Sequence, residues 1–133
     1  MPIYAGQILR AADLNPTPWQ PVTFTAPWHN FGSGWSDVQF RRRPLTGTVE
    51  LKGTMDGRTS GGDAPSNDSL AFVLPEGYRP LSNLAVVIGH VSTPRNSAIQ
   101  LRAYTNGEVR IIGANSLQAA VVSLDGVEFD FTQ

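Results

Sequence analysis

Cysteine is absent from the 133 residues, so neither a disulfide framework nor a thiolate metal site can exist, and the small secreted scaffolds that depend on them are excluded. Histidine is scarce: His29 and His90 lie far apart, and neither has an acidic or histidine neighbour at metal-ligand spacing. A zinc site or a catalytic base would need such a partner, so no metal and no catalytic histidine is expected. An excess of one charge is lacking too. Ten basic and eleven acidic side chains leave a formal charge of −1, too little to gather nucleic acid or an anionic membrane. No stretch approaches the roughly 20 apolar residues that cross a bilayer, and residues 1–14 show no cationic start followed by a long apolar run. Neither a membrane partner nor an export signal is expected.

What the chain does have is 13 glycines, 10 prolines and many Val, Thr and aromatic residues, a composition that favours short strands joined by tight turns. Its length suits one domain with a single core. The segment Gln7 to Asn15 is the one helical candidate, stopped by Pro16 and Pro18, and is too short to stand alone, because helices under about 12 residues are marginal in water. Its apolar side chains therefore have to dock on something. Beyond Trp19 the period becomes two, over Pro21–Thr25, Trp35–Arg42 and most cleanly Thr48–Met55, where Val49, Leu51 and Met55 oppose Thr48, Glu50 and Lys52. One buried and one wet face is the pattern of an antiparallel sheet.

A polar loop rich in Gly, Ser and Asp runs from Asp56 to Asn67 and is expected to be flexible; a compact domain shortens such a loop unless it moves or binds. Leu70–Leu74 is a strand ending in the turn segment Pro75–Pro80, and Ala85–Val91 is apolar enough to be covered on both faces. Ala98–Tyr104 and Glu108–Ile112 flank Thr105-Asn106-Gly107, a hairpin signal because Asn-Gly readily adopts positive φ. Ala119–Leu124 and Val127–Phe131 around Asp125-Gly126 read as a second hairpin. The sum is an all-β, jelly-roll-like antiparallel β-sandwich of about eight or nine short strands over residues 19–133, behind an N-terminal anchoring segment over residues 1–18.

No nucleophile elbow, phosphate-cradling glycine loop or calcium loop is present, so no catalytic residue and no cofactor is expected. Arg41, Arg42 and Arg43 form the one basic run, but alternate residues of a strand face opposite ways, and the run reads as a solvated strand end. The sequon Asn67-Asp68-Ser69 has no secretory context and is read as chance. Trp19, Trp28, Phe31 and Trp35 cluster in a Gly- and Pro-rich stretch. Most of them are expected in a core or interface, since each aromatic supplies on the order of 150–250 Å² of buried area. The competing reading is a sugar platform of Trp28, Asn30, Trp35 and Asp37.

An ordered set of short motifs resembles the C-terminal domains of tail-fibre and minor tail proteins of phages that infect actinobacteria and other Gram-positive hosts. These are Tyr4-Ala5-Gly6-Gln7 through Ala11-Ala12-Asp13-Leu14-Asn15, Trp28 to Trp35 followed by Val38–Arg42 and Thr48–Gly53, then Leu74–Pro80, Asn106–Val109 and Ser123–Phe129. The resemblance implies a β-sandwich that assembles as a homotrimer at the virion surface. The expected partners are thus a second and third copy, another virion protein (tail or major capsid protein) bound through Ile3, Tyr4, Ile8, Leu9 and Leu14, and host cell-wall glycan. Typical tail fibres place a long shaft before this domain, and this chain has about 20 residues there, which leaves a capsid decoration or spike protein as the alternative mounting. A rival from another class is a cell-wall depolymerase that brings together Asp37, Asp56 or Asp63.

Overall fold

The computed structural model of the protein describes residues 15–91, 98–117 and 119–131. Among these the secondary structure is all β: β1 (Gln20–Pro21), β2 (His29–Asn30), β3 (Gln39–Arg43), β4 (Thr48–Lys52), β5 (Thr54–Asp56), β6 (Asp68–Val73), β7 (Leu84–His90), β8 (Ile99–Ala103), β9 (Glu108–Ile112), β10 (Val121–Ser123) and β11 (Glu128–Asp130). They form two antiparallel sheets, one of four strands in the order β1-β3-β4-β11 and one of seven in the order β2-β5-β10-β7-β8-β9-β6. Phe40, Val49, Leu51 and Phe129 from the first sheet share a single core cluster with Met55, Phe72, Leu101, Ile111 and Val122 from the second. Burying the inner faces of both sheets against each other is what holds a sandwich together.

Among the described residues eleven strands stand where about eight or nine were read, for two reasons. His29–Asn30 pairs in a stretch that carries no strand pattern, and the Thr48–Met55 run divides at Gly53 into β4 in one sheet and β5 in the other. Gly53 has φ +103°, and a Cβ there would overlap the backbone carbonyl of Asp37. Only glycine can turn this corner at such close approach.

The second hairpin expected at Asp125-Gly126 is not one. β10 pairs with β5 (Val122↔Met55) and β11 pairs with β4 (Phe129↔Val49), so the returning chain lies antiparallel to the β4–β5 unit and crosses between sheets at the same corner. The crossing is stitched by hydrogen bonds. The Gly53 N–H donates to the Asp125 carboxylate (2.8 Å), the Leu124 N–H to the Gly53 carbonyl (2.8 Å), and the Leu51 N–H to the Val127 carbonyl (2.9 Å). Asp125 therefore spends its side chain on the partner corner instead of closing a tight loop. The Thr105-Asn106-Gly107 hairpin forms as read, with Ala103 opposite Val109 and the Gly107 N–H donating to the Tyr104 carbonyl at 2.8 Å.

Two further differences concern faces. β7 is covered on one side only: Ile88 is buried while Val87 is 73 % exposed, with Ala85 and Gly89 also open to solvent. The strand Trp35–Arg42 begins only at Gln39, because Gly32, Ser33 and Gly34 all have positive φ and turn the chain before it. The three arginines alternate as a strand requires, but they are not a free strand end. Arg41 pairs with Glu50 (3.0 Å) and lies 4.2 Å from the Trp19 ring centroid, Arg43 approaches Glu50 and Glu128, and Arg42 faces the rings of Tyr78 and Phe131. Upstream, the Thr17 N–H donates to the Arg42 carbonyl, so the chain already contacts the four-stranded sheet two residues before Trp19.

Candidate functional site

The seven-stranded sheet ends at β2, and its register sets His29 opposite Asp56. That pairing opens a groove of about 760 Å³, lined by Ala26, Pro27, His29, Asp56, Arg58, Thr59, Ser60, Gly62 and Leu117. Trp28, next to the lining residues Pro27 and His29, is buried at 3 % exposure, its indole N–H donating to the Ser69 hydroxyl at 2.8 Å. Gly57 rests on that ring so closely that a Cβ would come within 2.8 Å of Trp28 and 2.9 Å of Pro65. The long loop is pinned in turn: the Thr59 N–H donates to the Asp63 carbonyl (2.8 Å), the Gly62 N–H to the Thr59 carbonyl (2.8 Å) and the Asp63 N–H to the Thr59 hydroxyl (3.0 Å). Within the stretch read from composition as flexible, Thr59–Asp63 form a hydrogen-bonded turn, and Thr59, Ser60 and Gly62 line the groove.

Asp56 is the centre of the charge arrangement. Its side chain is only 8 % exposed, and Arg58 reaches it through Nε (3.0 and 3.1 Å) and Nη2 (2.7 Å), while the Arg58 backbone N–H adds a bond of 2.9 Å. Burial pushes the carboxyl up. The Arg58 side-chain and backbone hydrogen bonds, with the charges of Arg58 and His29, outweigh that and hold it below its ordinary value of 3.8. Arg58 is pushed up by the same pairing. His29 Nδ1 lies 2.9 Å from the Pro27 carbonyl, which can only accept, so this nitrogen carries a proton, and Nε2 faces Asp56 at 3.6 Å.

Chemically the groove can orient hydroxyl groups. A glycosidase acid must keep its proton at working pH, which requires a raised pKa, and Asp56 is displaced in the opposite direction. Asp37 and Asp63 do not line the groove with it. Among the described residues no group of three His, Cys, Asp or Glu side chains is placed to hold a metal ion.

The four residues read as a sugar platform are not one surface. Trp28 belongs to the core and presents no ring face to solvent, because its size and its indole N–H are both used internally. The Asn30 side-chain carbonyl accepts the Val38 N–H at 2.8 Å, which ties it to the turn. Trp35 is 47 % exposed and tilts against Phe31 (6.3 Å between centroids), and Asp37 is exposed. The anchoring residues Ile3, Tyr4, Ile8, Leu9 and Leu14 lie outside the described residues. Sequence reading missed Arg58, Ser60 and Leu117. The polar loop that carries the first two was the available signal, but their convergence with His29 depends on the β2–β5 register.

The described residues thus form a two-sheet antiparallel sandwich with a solvent-open groove of mixed polar and apolar lining beside the edge strand β2. No protein-family model and no curated protein matches the sequence. Among solved structures, the fold is similar to that of the receptor binding protein (gp15) of Listeria phage PSA, with a TM-score of 0.72 and 15 % identity over 92 % of this chain and 68 % of that one.

Proposed function

We propose that the chain is a receptor-binding-type protein of a phage tail, displayed on the virion and binding host cell-wall glycan without cutting it. The observation that carries this reading is the shared fold, which extends over 92 % of the chain and belongs, in its solved relative, to a protein whose role is receptor binding. Because one fold hosts many functions, the site matters as well. The groove is open, and its lining mixes the polar side chains of His29, Asp56, Arg58, Thr59 and Ser60 with the apolar ones of Ala26, Pro27 and Leu117. In this reading the protein is a homotrimer attached to a tail protein through residues 1–18, with residues 19–133 facing outward. The order of motifs from Tyr4 to Phe129 supports that division.

Two measurements test it. Light scattering of the purified protein should give about three times the 14.4 kDa of one chain. Sedimentation with a panel of Gram-positive cell walls should carry the protein into the pellet from at least one of them, with no reducing ends released. Absence from every pellet would remove the adhesion reading, and released ends would replace it with the depolymerase.

A further inference from the structure

We propose that the groove between β2 and the loop from 57 to 67 is a saccharide site that takes the hydroxyl groups of a neutral sugar, with Asp56, His29 and Arg58 as its polar contacts. The assignment rests on the receptor-binding reading for its biological source, but its chemistry comes from the groove itself.

The polar atoms facing the groove mix donors and acceptors. The Asp56 carboxylate is ionised and only accepts. His29 Nδ1 is committed to the Pro27 carbonyl, so Nε2, 3.6 Å from Asp56 Oδ2, is the ring nitrogen left for a ligand. That separation is too long for a direct hydrogen bond between the two side chains. Arg58 spends Nε and Nη2 on Asp56, which leaves Nη1 to donate. A sugar hydroxyl, which donates and accepts, can donate to the Asp56 carboxylate while accepting from Arg58 Nη1. A phosphate or carboxylate only accepts. It would meet the Asp56 carboxylate and a guanidinium already neutralised by it, so an anionic ligand is disfavoured.

The remaining lining suits the rest of a sugar ring. Leu117, 53 % exposed, faces the groove with Pro27 and Ala26, giving an aliphatic surface for ring C–H groups, and the Ser60 hydroxyl lies among the polar lining. Among the described residues no Phe, Tyr or Trp ring lines the groove, and Trp28 is buried in the core. Single-sugar affinity is therefore weak, and useful affinity comes from repeating units engaged by several copies.

The test uses ¹⁵N NMR of the full chain titrated separately with glucose, galactose, N-acetylglucosamine and inorganic phosphate, alongside wall sedimentation of Ser60→Arg and Leu117→Arg. Both substitutions are at exposed positions and fill the groove without entering the core. The expected result is that a neutral sugar shifts signals of residues 26–29, 56–62 and 117 while phosphate does not. Each variant should lose about tenfold or more in wall binding with an unchanged melting temperature. Shifts caused by phosphate alone, shifts confined to another surface, no groove shift with any of the sugars, or variants that bind walls like the parent would each overturn the site. If sugars shift the groove but the parent protein binds no wall, the saccharide site stands and the receptor-binding reading falls.

Discussion

Replacing Gly53 by alanine tests the corner on which both sheets depend. The backbone there has φ +103°, outside the regions an L-residue occupies readily, and holding alanine in it costs on the order of 1–3 kcal/mol. The added Cβ would also overlap the carbonyl of Asp37 and crowd the Cα of Val38. These are backbone atoms, which cannot rotate aside as a side-chain tip can, so displacing them adds roughly 1–3 kcal/mol, as overpacking does elsewhere. The combined loss, about 2–6 kcal/mol, is a large share of the ~5–15 kcal/mol by which domains are stable. For a domain of this size, at roughly 4 °C per kcal/mol, the melting temperature should fall by about 8–24 °C. Gly126 provides the control: its φ is +84°, but no atom lies within 4 Å of a Cβ placed there, so Gly126→Ala bears the conformational cost alone, about 1–2 kcal/mol. Both variants would be unfolded by heat under circular dichroism at one protein concentration, since assembly would make the midpoint concentration-dependent. Equal midpoints for the two would refute the argument that close approach at Gly53, and not its dihedral alone, fixes the corner.

Three other outcomes are expected. Because the folded pKa of Asp56 lies below 3.8, its pairing stabilises the protein above that value, and the contribution is lost as pH falls through the lower folded value; the urea-midpoint gap between wild type and Asp56→Asn should be full at neutral pH and shrink in acid, and a gap independent of pH would contradict this. Trp28→Phe leaves the buried Ser69 hydroxyl without its partner and should cost about 1–3 kcal/mol, with most of that cost absent in a Ser69→Ala background. Val87→Thr, at a position 73 % exposed, should change the stability of the isolated chain by no more than about 0.5 kcal/mol; a markedly larger loss, measured by chemical unfolding, would mean that this face of β7 is covered by a neighbouring copy.

The all-β class was legible because it is written in local chemistry. The alternation of Val49 and Leu51 with Thr48, Glu50 and Lys52, and the positive φ that Asn106-Gly107 admits, depend only on near neighbours in the chain. Absences were equally legible, since a chain without cysteine cannot make a thiolate site in any fold. Tertiary structure decided everything that rests on which strands meet. Asp125-Gly126 has the chemistry of a hairpin turn, yet β10 and β11 enter different sheets because β5 and β4 offer them partners already bent at Gly53. Val87 has the composition of a buried strand residue, and its exposure follows from which layer covers β7. The groove is the clearest case. His29 and Asp56 are 27 positions apart and show no local signal of each other, and they meet because a two-residue strand adds to the end of a seven-stranded sheet in one register. A slip of one residue in that register would turn His29 to the opposite face and dissolve the site.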